Sequence, residues 1–192
     1  MPSCYNLDMK RTIYLARHGE TEYNRLKKIT GQLDVPLNDD GIEQAMMLSI
    51  ELKDIYFDAI FCSPLKRCRQ TVNEVKKFHR NTPLIFDERL KECDAGILEG
   101  ESTSFMEEYS ENFTPRGGES YFHLKKRLRD FIEDQVDSKN YENVLVISHG
   151  GPLKVIRSLF EDVKILSQEE MSIKNCNYWI IKTDAVCTIK SK

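Results

Sequence analysis

In Leu15-Ala16-Arg17-His18-Gly19-Glu20-Thr21-Glu22-Tyr23-Asn24, an arginine and a histidine stand side by side where an apolar stretch meets a glycine. A neutral imidazole can attack phosphorus and carry the phosphoryl group covalently. A guanidinium is a planar cationic fork suited to phosphate oxygens. The arrangement recurs with other members further along. Ala59–Cys62 runs into Ser63-Pro64-Leu65-Lys66-Arg67, and Val144–Ser148 runs into His149-Gly150-Gly151. Two arginines and two histidines, if brought together, would form a phosphate site that needs no metal, because fixed cations can stabilise the equatorial oxygens of a transferring phosphoryl group.

Each residue alone has a plainer reading. A single His18 or His149 is more often a hydrogen-bonded structural imidazole. Arg17 could form a surface salt bridge, and Arg67 could be a solvated helical side chain. Two histidines could ligate a metal, but no third ligand at metal spacing accompanies them. Joint placement at strand ends is what favours the chemical reading.

That placement depends on the elements. Strand-like runs alternate with helical periodicity, which predicts a three-layer α/β/α fold with a mainly parallel sheet. Thr12–Ala16 is the first strand, and Leu33–Asn38, with Pro36, is loop. Asn38 caps a helix from Asp39 to Lys53 with Ile42, Ala45, Met46 and Ser49 on its apolar face. Ala59–Cys62 is the second strand. Ser63 as N-cap and Pro64 in the first turn start the next helix, whose buried stripe is Cys68, Thr71, Val72, Val75 and Phe78. Pro83–Phe86 is a third strand. Gly96 to Gly118 reads as a short helix and a loop over the site. Leu124, Leu128, Phe131, Ile132 and Val136 mark a longer amphipathic helix. Val144–Ser148 is apolar enough to be buried on both faces. Pro152 starts a helix through Phe160, and Tyr178–Lys182 with Val186–Lys190 reads as a closing hairpin. Parallel strands put all these junctions on one sheet edge, where helix N-termini add N–H groups for an anion.

The 192 residues, 40% apolar and 31% charged, describe an ordinary globular protein read as one domain over residues 1–192. A net charge of −3 gives no reason to expect nucleic acid or an anionic membrane as partner. No signal-peptide core or membrane-length apolar segment is present, and the six cysteines show no C-x-x-C pair. Reduced thiols in a cytoplasmic protein are the expectation.

The ordered segments Arg17–Asn24, Gly31–Leu37, Ser63–Thr71, Leu90–Gly100, Gly118–Ser120 and Ser148–Gly151 resemble the motifs R-H-G-E-T-x-x-N, G-x-x-D-x-P-L, S-P-L-x-R-x-x-Q-T, L-x-E-x-x-x-G-x-x-E-G, G-E-S and S-H-G-G of the histidine phosphatase superfamily, the phosphoglycerate-mutase-like enzymes. The resemblance implies that His18 becomes phosphohistidine while Arg17, Arg67 and His149 hold the phosphoryl oxygens, with the Gly150 amide. It further implies that Glu92 protonates the leaving oxygen and then activates water, that Asn24 and Thr30 line the phosphate pocket, and that no cofactor or metal takes part.

Mutases of the family carry a longer, basic insertion before G-E-S. Here Gly100 to Gly118 is short and holds Glu101, Glu107, Glu108 and Glu111 against one basic residue, Arg116. Hydrolysis of a small phosphorylated metabolite is therefore favoured over back-transfer. A mutase and a catalytically silent phosphate-binding module are the alternatives. Glu92-Cys93-Asp94-Ala95-Gly96 and Arg116-Gly117-Gly118-Glu119-Ser120-Tyr121 resemble the fructose-2,6-bisphosphatase branch. That branch has a glutamine and an arginine where this chain has Gly150 and Lys154.

Overall fold

Alternation along the strands sorts the interior into two layers. The computed structural model describes residues 10–104, 114–160 and 173–183. Strands β1 (Arg11–Arg17), β2 (Ala59–Cys62), β3 (Leu84–Phe86), β4 (Asn143–Ser148) and β5 (Tyr178–Thr183) form one sheet in the order β3-β2-β4-β1-β5. The first four lie parallel, and β5 runs antiparallel along β1. The helices are α1 (Glu22–Arg25), α2 (Asp39–Leu52), α3 (Lys66–Lys76), α4 (Tyr121–Phe131) and α5 (Gly150–Phe160).

Ile13, Leu15, Phe61, Val144 and Val146 pack with Leu124, Leu128 and Phe131 of α4 and Leu153 and Ile156 of α5. Their neighbours Ala16, Ile60, Cys62, Leu145 and Ile147 pack with Ala45, Leu48 and Leu52 of α2 and Val72 and Val75 of α3. Helices thus cover both faces, as the sequence predicts. Val144 to Ser148 of β4 is wholly buried. Each such apolar side chain stabilises by roughly 1.5–3 kcal/mol, against at most about 1 for an exposed ion pair. The interior, not surface charge, holds the strand ends in place.

Several local expectations change. The buried positions of α2 are Gly41, Ala45, Leu48, Ser49 and Leu52, while Ile42 and Met46 are exposed. The larger Leu48 and Leu52 turn the helix by about one residue relative to the expected face. Phe78 lies beyond α3 and is exposed. Ser63 does not cap α3. The helix begins at Lys66, its N-cap position is Leu65, and Asp34 Oδ1 accepts the Lys66 N–H at 2.6 Å instead. Helix α5 starts at Gly150, two residues before Pro152. After Phe131, α4 widens into a π-helical turn over Ile132–Asp137. Helix α1, unforeseen, is nucleated by a reciprocal cap between Thr21 and Asn24. In the Gly96–Gly118 segment, Gly96–Leu98 forms one 3-10 turn, and residues 105–113 lie outside the described residues. The second limb of the expected hairpin, Val186–Lys190, also lies outside them, and β5 finds its partner in β1.

Candidate active site

In the β1–β4 ladder Arg17 sits opposite Ser148, so the next residue of each strand, His18 and His149, emerges at the same sheet edge. Their rings meet edge to face, with centroids 5.1 Å apart. His18 is 3% exposed, and its Nδ1 lies 2.7 Å from the Gly19 carbonyl oxygen. A carbonyl can only accept, so Nδ1 carries the proton and Nε2 keeps its lone pair. Burial, then the charges of Arg67 and Arg17, push the His18 pKa well below the ordinary imidazole value. The side chain is a neutral imidazole with a free basic nitrogen. Its loop is pinned from several sides. The Gly19 N–H donates to Thr71 Oγ1, and Asn175 Nδ2 donates to the His18 carbonyl. Gly19 also packs backbone to backbone on α2, where an added Cβ would stand 2.3 Å from the Gly41 oxygen.

Two guanidiniums flank the histidines. Arg67 is 1% exposed and donates from Nε to His149 Nδ1 at 3.1 Å and from its terminal nitrogens to the Leu33 and Gly31 carbonyls at 2.8 and 2.9 Å. Because His149 Nδ1 accepts, the His149 proton sits on Nε2 and is donated to Ser63 Oγ at 2.8 Å. Burial, with Arg67, His18 and Arg17 nearby, also pushes the His149 pKa well down. Arg17 donates to the Ile173 carbonyl, but its Nε is buried with no hydrogen-bond partner among the described residues. Neither arginine forms an ion pair among the described residues. A buried and a partly buried cation side by side, the second with an orphaned buried N–H, are a costly arrangement until an anion joins them. A phosphate dianion fits that need.

Glu92 follows a 3-10 turn at Glu88–Leu90. Its Oε1 accepts the Cys93 N–H at 2.9 Å, and its Oε2 stands 3.5 Å from the Gly151 nitrogen at the start of α5. The carboxylate approaches so closely that a Cβ on Gly151 would lie 2.5 Å from Oε1. Its field raises the pKa of both Arg17 and Arg67, opposing the effect of burial. Gly150 opens α5 against Arg17, whose Cζ would be 3.8 Å from an added Cβ.

Asn24 and Thr30 hold the loops around the site. Asn24 Oδ1 accepts from the Thr21 N–H and from Asn175 Nδ2, so its oxygen fixes the His18 loop. The Thr30 carbonyl accepts the Leu33 N–H, closing a turn whose Gly31 and Leu33 carbonyls are both held by Arg67. Ser63, which the sequence places at a strand end and predicts as a helix cap, belongs to the site as the partner of His149. Cys68 Sγ lies 3.5 Å from His149 Nε2, and burial pushes its thiol up to about 12. Asn175 carried no signal in the sequence.

The model for the histidine phosphatase superfamily (branch 1) matches residues 13–188. The fructose-2,6-bisphosphatase TIGAR of Bos taurus is 40% identical over 130 residues, 62% of this chain and 48% of that protein, so this match spans about half of TIGAR. The probable phosphoglycerate mutase GpmB of Shigella dysenteriae is 32% identical over 176 residues, 86% of this chain and 81% of that one. Among solved structures, the alpha-ribazole phosphatase from Shigella flexneri superposes with a TM-score of 0.75 at 28% identity, covering 93% of this chain and 94% of that chain. The match over residues 13–188 spans the segments that carry His18, Arg67, Glu92 and His149, and the chain belongs to branch 1 of the histidine phosphatase superfamily.

Proposed function

We propose that this phosphatase hydrolyses the monoester of a small phosphorylated metabolite, without metal or cofactor, through a phosphohistidine on His18. The observation that carries the reading is the neutral His18 with its unprotonated Nε2, set beside the buried Arg67 and the partly buried Arg17, neither ion-paired with a carboxylate among the described residues. In the first step the Nε2 lone pair forms the N–P bond. The P–O bond to the alcohol breaks, its electron pair leaves with oxygen, and that oxygen takes a proton from the Glu92 carboxyl. In the second step water attacks phosphorus, Glu92 takes its proton, and the N–P electrons return to Nε2. Arg17 and Arg67 neutralise the equatorial oxygens throughout, which requires no reorganisation because both are already fixed. His149 joins them by exchanging its bond to Ser63 for one to a phosphoryl oxygen, and the Gly150 N–H adds a further donor. Asn24 and Thr30 complete the pocket wall.

Hydrolysis is favoured over mutase chemistry by the short acidic stretch from Gly100 to Gly118, which offers little to retain a phosphorylated product. The same reading takes residues 1–192 as one domain acting in the cytoplasm. No helix among the described residues is long and apolar enough to cross a membrane. A screen of phosphorylated metabolites for released phosphate tests the activity. An acid-labile, base-stable phosphoenzyme should form during turnover and vanish in His18→Ala. Label retained on the alanine protein would overturn the assignment. Phosphate exchange between mono- and bisphosphoglycerate without net release would move the chain to the mutases.

A further inference from the structure

Glu92 lies in a stretch without regular structure, between the 3-10 turns at Glu88–Leu90 and Gly96–Leu98. A general acid must hold its carboxyl within hydrogen-bond reach of the leaving oxygen, so something must make this stretch rigid. One side chain reaches it from α4. Arg127 donates from one terminal nitrogen to the Glu92 carbonyl at 3.1 Å, and from the other to the Arg89 carbonyl three residues earlier. The rest of its fork closes on Glu119, with Nε to Oε1 at 2.7 Å and the terminal nitrogen to Oε2 at 2.8 Å. Glu119 in turn donates its own N–H to the Asp94 carbonyl at 2.8 Å. The segment 89–94 is therefore held at Arg89 and Glu92 by the guanidinium of a two-pronged ion pair and at Asp94 by the backbone N–H of its partner Glu119. Both partners are largely shielded, with side-chain exposures of 18% and 14%. Gln32 makes one further bond to the Glu92 carbonyl.

We infer that Arg127, oriented by Glu119, is a positioning residue that sets the Glu92 carboxyl against the leaving oxygen. The inference rests on the assignment of Glu92 as the proton donor. Arg127 serves through geometry rather than charge alone, because it binds two carbonyls and a carboxylate at once. A lysine ammonium can keep the charge but cannot span those partners as a planar fork. The consequence is specific. Loss of the clamp should harm substrates in proportion to their need for leaving-group protonation, whereas general loosening of the fold would harm all substrates alike.

The test compares kcat/KM, which reports the steps through phosphorylation, for an alkyl phosphate and for p-nitrophenyl phosphate. In Arg127→Lys and in Glu119→Gln the alkyl-to-aryl ratio should fall roughly 10-fold or more, toward the ~10²-fold that a misplaced catalytic group loses. In a Glu92→Gln background the same substitutions should leave the ratio where Glu92→Gln alone put it, since the clamp then has no acid to position. Glu119→Gln preserves shape and serves if Arg127→Lys does not fold. A reduced ratio in Glu92→Gln with wild-type ratios in both clamp variants would overturn the inference while leaving the Glu92 assignment standing. A wild-type ratio in Glu92→Gln itself would remove the acid assignment and the inference together.

Discussion

Gly151→Ala isolates the position of one carboxylate. The alanine Cβ would stand 2.5 Å from Glu92 Oε1, 3.5 Å from its Cδ and 3.9 Å from Oε2. Ordinary contact begins near 3.4 Å, so the oxygen must retreat by about 0.9 Å, and the atom displaced is the far end of a rotatable side chain. The backbone is spared. Gly151 does not occupy the left-handed region, and alanine is the better helix former by up to about 1 kcal/mol. Stability should therefore hold or rise slightly while chemistry suffers. A displacement near 1 Å at a catalytic group costs up to about 10²-fold. The shifted Oε1 also gives up the Cys93 N–H that holds it. Thermal melting checks the fold, and phosphate release from an alkyl phosphate measures the loss. p-Nitrophenyl phosphate, whose leaving group departs with little help, should show a smaller loss in phosphorylation. A folded alanine variant with unchanged alkyl turnover would refute the placement of Glu92 at the leaving oxygen.

Orthophosphate or vanadate should raise Tm, by the equivalent of about 2.7 kcal/mol at a hundredfold excess over Kd. Most of that rise should vanish in Arg17→Met, which removes the orphaned buried N–H; an undiminished rise would place the anion elsewhere. The buried histidines predict a pH dependence of stability. The folded-state pKa of His18 and of His149 lies below the unfolded value, so below about pH 6.5 the unfolded chain binds more protons and folding weakens. Stability should be full above that pH and decline below it, with a limiting slope near 1.4 kcal/mol per pH unit for each histidine. Urea titrations from pH 7.5 to 5 measure it, and a flat profile in wild type would contradict neutral burial. Activity should survive EDTA unchanged, since Arg17 and Arg67 supply the positive charge; loss restored by a divalent ion would place the enzyme in another mechanistic class.

The sequence reveals the parts of the site that strands deliver. His18 and His149 can be paired because each ends an apolar run, and parallel neighbours in register put run ends together. Arg67 follows because it lies one turn from such an end. What escapes is whatever depends on side-chain direction across the fold. Ser63 before a proline reads as a cap, yet its hydroxyl serves His149, and Asp34 from a distant loop supplies the cap. Asn175 ties the His18 carbonyl to Asn24 from the far end of the chain, with no local pattern to mark it. The apolar face of α2 is misjudged for a related reason. Ile42 and Met46 obey helical spacing as well as Leu48 and Leu52 do, and only packing against β2 and α3 decides between them.

Burial accounts for both halves of the proposed chemistry. Water is kept from His18 by the same packing that strips hydration from Arg17 and Arg67. The first effect keeps the imidazole neutral and its Nε2 basic at mildly acidic pH. The second leaves two positive charges without an ion-pair partner among the described residues, and they lower the histidine pKa further through space. In an exposed version of this site, solvent would screen the arginines and allow His18 to protonate, and a protonated imidazole has no lone pair for phosphorus. On the proposed mechanism the arginines would therefore act before substrate arrives, holding His18 in its unprotonated form, and again afterwards, when the phosphoryl oxygens supply negative charge. Substrate binding and nucleophile activation are then one electrostatic arrangement. A phosphate analogue should raise the His18 pKa toward its ordinary value by neutralising that field, and nitrogen-detected NMR of the imidazole would show it.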